Sequence, residues 1–464
     1  MRGDWYVGPL AALPALIALA IFGAIETPDS GGYISYAEQL RAGPLPSGGA
    51  LLAEAPAPVS LFRTAGYPAL IAISQSLFGA GWKVALVLFQ IATHAALAVT
   101  AYRTAIVLSL PRALALLAAL VPSVGLGLVV QISILTDAVY AALLGGAALL
   151  LVQATLRPAG GAPLIVGLLL AGAMLLREAT LFIAVGFVPA VWLASRAGRR
   201  LHSLCLAFLP IIAVVACMAG SNFARSGHPV VTTSRQVVMV QAVLPLIRQG
   251  LPVFDGDDLF DRTARETLRG DDYSRISELN GKLFLAGLTA PEIADQATRR
   301  YVRAWLRFPV AMGVATIGRY RDHFLALPFH PLNTIRYLAA YADLPRPQIT
   351  IPLVLWENLK RGDIGAAAWL TIDVTARLIG TLIGLFALAA PFLLMRRNDE
   401  RGAALLGTWL ICASCVAVYI PVHLDIRYLV PLIPLHCLLG ATLWHAYRPH
   451  ARFARPEAGQ LLSH

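Results

Sequence analysis

Charge is scarce in this chain, and lysine scarcer still. Asp, Glu, Lys and Arg make up 14% of the 464 residues, against about a quarter in soluble globular proteins. Only three of the 37 cations are lysines, Lys83, Lys282 and Lys360. A nucleic-acid-binding surface needs basic patches interleaved with aromatics on a soluble face. Here the arginines stand mostly between apolar runs, so the net charge of +11 does not point to nucleic acid. Neither GxGxxG nor GxxxxGK[ST] occurs, which removes the usual phosphate cradles of nucleotide-dependent enzymes. The five cysteines all fall in apolar stretches, unlike the disulfide framework of a secreted domain. Cys412 and Cys415 form a CxxC, but its setting from Ile411 to Val418 favours packing over redox or metal chemistry.

What is abundant is apolar sequence: 58% of residues, with a mean hydropathy of +0.68. Runs of about 20 apolar residues recur in both halves, each long enough to cross a bilayer. The sequence therefore predicts an all-α polytopic membrane protein of about 10 to 12 spans. Spans are placed at 5–25, 83–102, 113–130, 138–156, 162–176, 179–195, 203–222, 371–395, 403–420 and 428–446. No cleavable signal pattern precedes the first of them. Three parts follow: an N-terminal transmembrane core over 1–222 with a first outer loop at 26–82, an extracytoplasmic or interfacial region over 223–370, and C-terminal spans with a short tail over 371–464.

Cytoplasmic loops hold an excess of Lys and Arg. One side holds thirteen arginines (2, 103, 112, 157, 196, 199, 200, 396, 397, 401, 448, 452 and 455), and the short loops of the other hold Arg41, Arg63, Arg177 and Arg427. Both termini are then cytoplasmic and the long region 223–370 lies outside. The arginine bias, with abundant alanine and glycine, is the composition of a GC-rich bacterial genome, which makes the bacterial inner membrane the expected location. Segments 299–328 and 349–360 are amphipathic enough either to lie on the membrane surface or to make a further pair of crossings. Asp255, Asp257, Asp261 and Glu266 partly mimic a calcium loop, but Leu259 takes a ligand position and the turn glycine is missing. A solvated acidic surface is expected there.

Ionisable residues at membrane depth are costly and tend to be functional. In this orientation they gather on one side: Asp29 after the first span, Arg63 at the end of the first outer loop, Asp137 before the fourth span, Arg177 and Glu178 between the fifth and sixth, and Arg427 before the last. Carboxylates with guanidinium groups suit a reaction between a hydroxyl-bearing acceptor and a phosphate-bearing lipid. A carboxylate takes the hydroxyl proton, and arginine grips phosphate through parallel hydrogen bonds.

The stretches ETPDSGGYISYAEQL (26–40), FRTAGYPALIAISQSLFG (62–79), SILTDAVYAALL (133–144), LLREATLFIAVGFVPA (175–190) and DIRYLVPLIP (425–434) resemble, in order and spacing, the GT-C superfamily of polytopic glycosyltransferases. The nearest branch is the one that contains protein O-mannosyltransferases and lipid A aminoarabinose transferases. The resemblance implies a GT-C-type helical bundle and an inverting transfer of sugar from a polyprenyl-phosphate donor to an extracytoplasmic lipid, glycan or protein. It further implies Asp29 as catalytic base, Arg63 and Arg427 as donor-phosphate ligands, and Asp137 with Tyr67 and Tyr428 as acceptor-orienting or site-shaping residues. Ser30 departs from the pattern, since many members carry a second acid beside the base. No His, Cys, Asp and Glu spacing fits a metal site, so no cofactor is expected, although some members of the superfamily use a divalent metal.

Each residue also has a structural alternative. Asp29 and Asp137 could cap helices, Arg63 could snorkel, Arg177 could pair with Glu178 and Arg427 with Asp425. His94 reads as a hydrogen-bonded core histidine, and His423 as a contact near the outer mouth. Two further function classes compete: a secondary transporter or flippase for an anionic lipid or sugar, and an enzyme like the O-antigen ligases or polymerases.

Overall fold

The computed structural model describes residues 4–41, 59–268, 274–324, 360–362, 375, 378, 382, 389–392, 399–423 and 425–447. Among them the chain is helical, with one isolated parallel bridge between Ile25 and Ser133. The helices are α1 (Val7–Phe22), α2 (Ser30–Arg41), α3 (Val59–Phe62), α4 (Gly66–Phe78), α5 (Trp82–Val107), α6 (Arg112–Leu120), α7 (Leu126–Ile132), α8 (Asp137–Leu156), α9 (Ala162–Leu176), α10 (Thr180–Ala194), α11 (Arg200–Ser226), α12 (Arg235–Arg248), α13 (Leu259–Thr267), α14 (Arg275–Leu285), α15 (Ala290–Arg307), α16 (Pro309–Phe324), α17 (Glu400–Tyr419) and α18 (Ile433–Tyr447).

Five helical stretches are long and apolar enough to cross a membrane: Gly66–Val107, Asp137–Leu156, Ala197–Ala224, Glu400–Tyr419 and Arg427–Ala446. A sixth forms if α6 and α7, bent by 52° at their junction, count as one broken span. Helices α1, α9 and α10 are apolar but shorter. At 1.5 Å per residue the 16 residues of α1 reach about 24 Å, less than the ~30 Å hydrocarbon core. Nine of the ten predicted spans thus coincide with helices, and the tenth, 371–395, falls almost wholly outside the described residues.

Lipid replaces water as the solvent of these helices, so apolar side chains can point outward at no cost. The apolar window of α11 is only 17% buried, whereas that of α8 is 61% buried. Helix α8 is therefore central and α11 lies on the rim. Small residues let the neighbours of α8 approach closely: Ala138, Ala141, Ala147 and Ala148 on α8 are all buried, as expected of helix pairs in membranes.

A second apolar core lies apart from the bundle. Val240 and Leu244 of α12, Phe260 of α13, Ile276, Leu279 and Leu283 of α14, Ile293 and Ala297 of α15, and Met312 of α16 pack together in it. Helices α15 and α16 belong to this unit and, among the described residues, are not in the set long and apolar enough to cross a membrane; residues 325–328 of the segment considered at 299–328 lie outside the described residues. Segment 349–360 lies outside the described residues except for Lys360. The expected solvated acidic surface holds for three of its four residues and is corrected at Asp261. Asp261 is fully buried, accepting from Arg300 Nε at 2.8 Å and from the Gly256 amide at 2.8 Å. Asp255 pairs with Arg307, and Asp258 caps α13 and pairs with Arg300. Asp255, Asp257 and Glu266 of the set stand exposed.

Candidate functional site

The polar residues at one end of the bundle owe their places to backbone pinning. Gly23, at φ +71°, ends α1 and turns the chain in a conformation costly for other residues. The following segment locks onto the end of α7: the Ile25 amide donates to Ile132 O at 2.9 Å, and the Ile134 amide donates back to Ile25 O at 2.9 Å. Ser30, fully buried, completes the lock. Its hydroxyl donates to Ile134 O at 2.8 Å and accepts from the Thr27 amide at 2.8 Å. Ser30 is thus an anchor, and it sets Asp29 beside the segment leading into Asp137.

Asp29 caps no helix with its carboxylate. Arg63 Nη2 donates to Asp29 Oδ1 at 2.9 Å, and Arg427 Nη2 donates to Asp29 Oδ2 at 3.0 Å. These residues come from the first loop, the link between α3 and α4 and the turn before α18, the outermost nearly 400 positions apart. Arg427 also binds Asp425 through Nε at 3.0 Å and Nη2 at 2.9 Å, so it pairs with its sequence neighbour and with Asp29 together. The Asp29 side chain remains 40% exposed, whereas those of Arg63 and Arg427 are 22% and 12% exposed. Burial alone would raise the Asp29 carboxyl, but the two guanidinium groups outweigh it and hold the group below the usual carboxylate range. The same contest, won by Arg427, lowers Asp425.

Arg63 is no snorkelling anchor. Its guanidinium lies 4.1 Å from the centre of the Tyr33 ring, a cation–π contact worth about 0.5–2 kcal/mol. Tyr33 in turn packs edge-on against Tyr67 at 5.2 Å. Tyr67 is fully buried; its hydroxyl donates to Gln90 Oε1 at 2.7 Å, and Gln90 Nε2 donates to the carbonyls of Gln131 and Ser133. Tyr67 therefore shapes the site from behind. Gly66 allows this arrangement, since a Cβ there would lie 2.4 Å from the Leu175 carbonyl oxygen of α9.

A second pair sits deeper. Arg177 Nη2 donates to Asp137 Oδ1 at 2.6 Å and its Nε to Thr136 Oγ1 at 3.0 Å. The predicted Arg177–Glu178 pair does not form; Glu178 instead accepts from the Ser234 hydroxyl. Nor does Asp137 act as a side-chain cap for α8. Its side chain is 1% exposed, and its Oδ2 has no protein hydrogen-bond partner. Arg177 also packs over Tyr428 at 4.6 Å and Tyr140 at 5.3 Å. Tyr428 links the two pairs, being the chain neighbour of Arg427 and a ring contact of Arg177, Tyr419 and His423. His94 is buried with Nε2 at 3.0 Å from Ser123 Oγ, the core role expected of it.

Every residue singled out for the site thus falls in one connected cluster: Asp29, Arg63, Tyr67, Asp137, Arg427 and Tyr428. Tyr33 and Tyr140 were missed. Both stand one helical turn from an acid on the same chain, Asp29 and Tyr33 being four apart and Asp137 and Tyr140 three, a spacing that signals proximity. Among the described residues, no three His, Cys, Asp or Glu side chains converge as metal ligands do. Comparison with protein-family models, curated proteins and solved structures finds no match to this chain.

Proposed function

We propose that the chain is an inverting membrane glycosyltransferase of GT-C type, moving a sugar from a polyprenyl-phosphate carrier to an acceptor at the extracytoplasmic face of a bacterial inner membrane. The observation that carries this reading is the clamp on Asp29, an ionised, part-exposed carboxylate between two arginines at the mouth of a membrane bundle. Arginine pairs with phosphate as readily as with carboxylate. An arriving donor phosphate would draw Arg63 and Arg427 onto its oxygens and free Asp29 to accept a proton. The acceptor hydroxyl oxygen then attacks the anomeric carbon from the face opposite the phosphate. The bond from that carbon to the phosphate oxygen breaks, the hydroxyl proton passes to Asp29, and polyprenyl phosphate departs with its charge met by the two guanidinium groups. In this reading Asp137 and Arg177 form the floor beneath the acceptor, with Tyr428 between them and the phosphate ligands.

The donor set fits an anion better than a metal ion, because the exposed carboxylates already face guanidinium groups; no step is assigned to a metal. Ion pairs gathered at one end of the spans also suit surface chemistry better than a translocation path, which would place charge near span centres. The test supplies purified protein in lipid vesicles with radiolabelled polyprenyl-monophosphate sugar and bacterial envelope as acceptor source. Covalent transfer of label is expected, and Asp29→Asn should lower it by at least about 100-fold with the fold intact. Label that crosses the bilayer without becoming attached identifies a transporter. Near-normal transfer by Asp29→Asn removes the role of Asp29.

A further inference from the structure

The cluster above leaves one feature of the α12–α16 unit unused. The last two turns of α15 and most of α16 carry a continuous exposed strip that a water-facing surface would not select. On α15 it holds Val302 and Leu306, flanked at four-residue spacing by exposed Arg299, Arg303 and Arg307. On α16 it holds Val310, Val314 and Ile317, 78%, 60% and 68% exposed, with no charged residue from Pro309 to Gly318. The opposite faces are the ones that pack: Ala297, Arg300 and Ala304 on α15 and Met312 on α16 are buried in the unit. An apolar ridge bordered by arginines is the pattern of a helix that lies in a lipid headgroup layer.

One end of the strip is also tied to the end of a candidate span. Arg319, on the packed side of α16, donates to the carbonyls of Ile420 at 3.2 Å and Pro421 at 3.1 Å, the two residues that follow the last residue of the membrane-crossing α17. Ile317 is two residues earlier, about 3 Å along the helix axis, and Val310 about 14 Å. The Ile317 end of the apolar ridge therefore stands close to the end of α17. We propose that the α15–α16 strip is a docking surface for anionic phospholipid in the membrane that the chain itself spans. Its apolar ridge enters the headgroup boundary while Arg299 and Arg303 meet lipid phosphates; Arg307 is already paired with Asp255. Docking would hold the unit, and through Arg319 the turn that carries Arg427, at a constant height over the bilayer.

The test uses the full chain with Cys205, Cys217 and Cys437 replaced by serine and a fluorophore placed at Val310→Cys or Val314→Cys, with Glu278→Cys on α14 as reference. Each form is reconstituted in nanodiscs of phosphatidylcholine, or of an equal mixture with phosphatidylglycerol, and quenched by nitroxide lipids or by aqueous iodide. Quenching by nitroxide lipid at 310 and 314 but not at 278 is expected, strengthened by phosphatidylglycerol. Reversing Arg299 and Arg303 to Glu should abolish that strengthening, each cation being worth about fivefold in the docked population. Iodide quenching at 310 and 314 equal to that at 278 would show a strip open to water, and shielding from both quenchers would show one covered by protein; either overturns the proposal. Lipid quenching that ignores phosphatidylglycerol and the arginine reversals overturns the part assigned to the arginines.

Discussion

The Asp137–Arg177 pair offers the sharpest energetic test of the site. Asp137 is 1% and Arg177 13% exposed, so removing either partner leaves a charge in a medium that solvates it poorly. Such a loss costs about 3–5 kcal/mol, whereas replacing both partners with apolar groups of similar volume is often close to neutral. Arg177→Met keeps the stem volume and leaves the Asp137 carboxylate without its donor. Asp137→Leu leaves Arg177 with Thr136 Oγ1 and the faces of Tyr140 and Tyr428. Each single variant should therefore lose about 3–5 kcal/mol, and the double variant should recover most of one such loss, a coupling of about 3 kcal/mol. Unfolding in mixed detergent and SDS micelles, followed by tryptophan fluorescence, measures all four corners of the cycle. Single losses that add to within ~0.5 kcal/mol would refute the pairing, since that is the behaviour of independent sites.

Three further outcomes follow from the same geometry. Asp29 is held below the usual carboxylate range, so the stability its clamp provides is present above the ordinary carboxyl pKa of about 3.9 and is lost as pH falls through the lower folded value. Arg63→Gln should move the acid limb of transfer to higher pH, and an unchanged pH profile would separate Arg63 from Asp29. Gly66→Ala must push α4 off the Leu175 carbonyl; it should lower transfer and thermal stability together, and a crystal or cryo-EM structure of the variant with Arg63 still on Asp29 would contradict that. Arg319→Gln removes charged donors from the Ile420 and Pro421 carbonyls and from Ala242 O, at about 1.5–3 kcal/mol for a bond of this kind. Faster hydrogen exchange should then appear over 420–428, and unchanged exchange would show that Arg319 does not steady that turn.

Hydrophobic patterning predicted helices where nine of the ten expected spans lie, because lipid demands about 20 apolar residues per crossing whatever the tertiary fold. It also predicted that Asp29, Arg63, Asp137 and Arg427 share one end, since strict alternation of span direction places every second loop together. Partner choice was legible for Arg427 with Asp425 but not across longer separations. Arg177 looked like the partner of Glu178, yet it crosses to Asp137, 40 residues earlier. Asp261 read as part of a solvated acidic stretch, yet Arg300 buries it from 39 residues away. Tyr67 read as an acceptor-orienting or site-shaping residue, and that its hydroxyl is held by Gln90, 23 residues on, was not foreseen.

What the linear chain determined by itself is the solvent of each segment, because transfer between water and hydrocarbon is a sum over local side chains. What only the tertiary structure decided is which charge answers which. A buried ion seeks the nearest counter-ion in space, and that distance depends on where backbone locks such as Ile25 on Ile132 and close approaches such as Gly66 on Leu175 bring remote loops. The clamp on Asp29 exists because three such loops end at the same point.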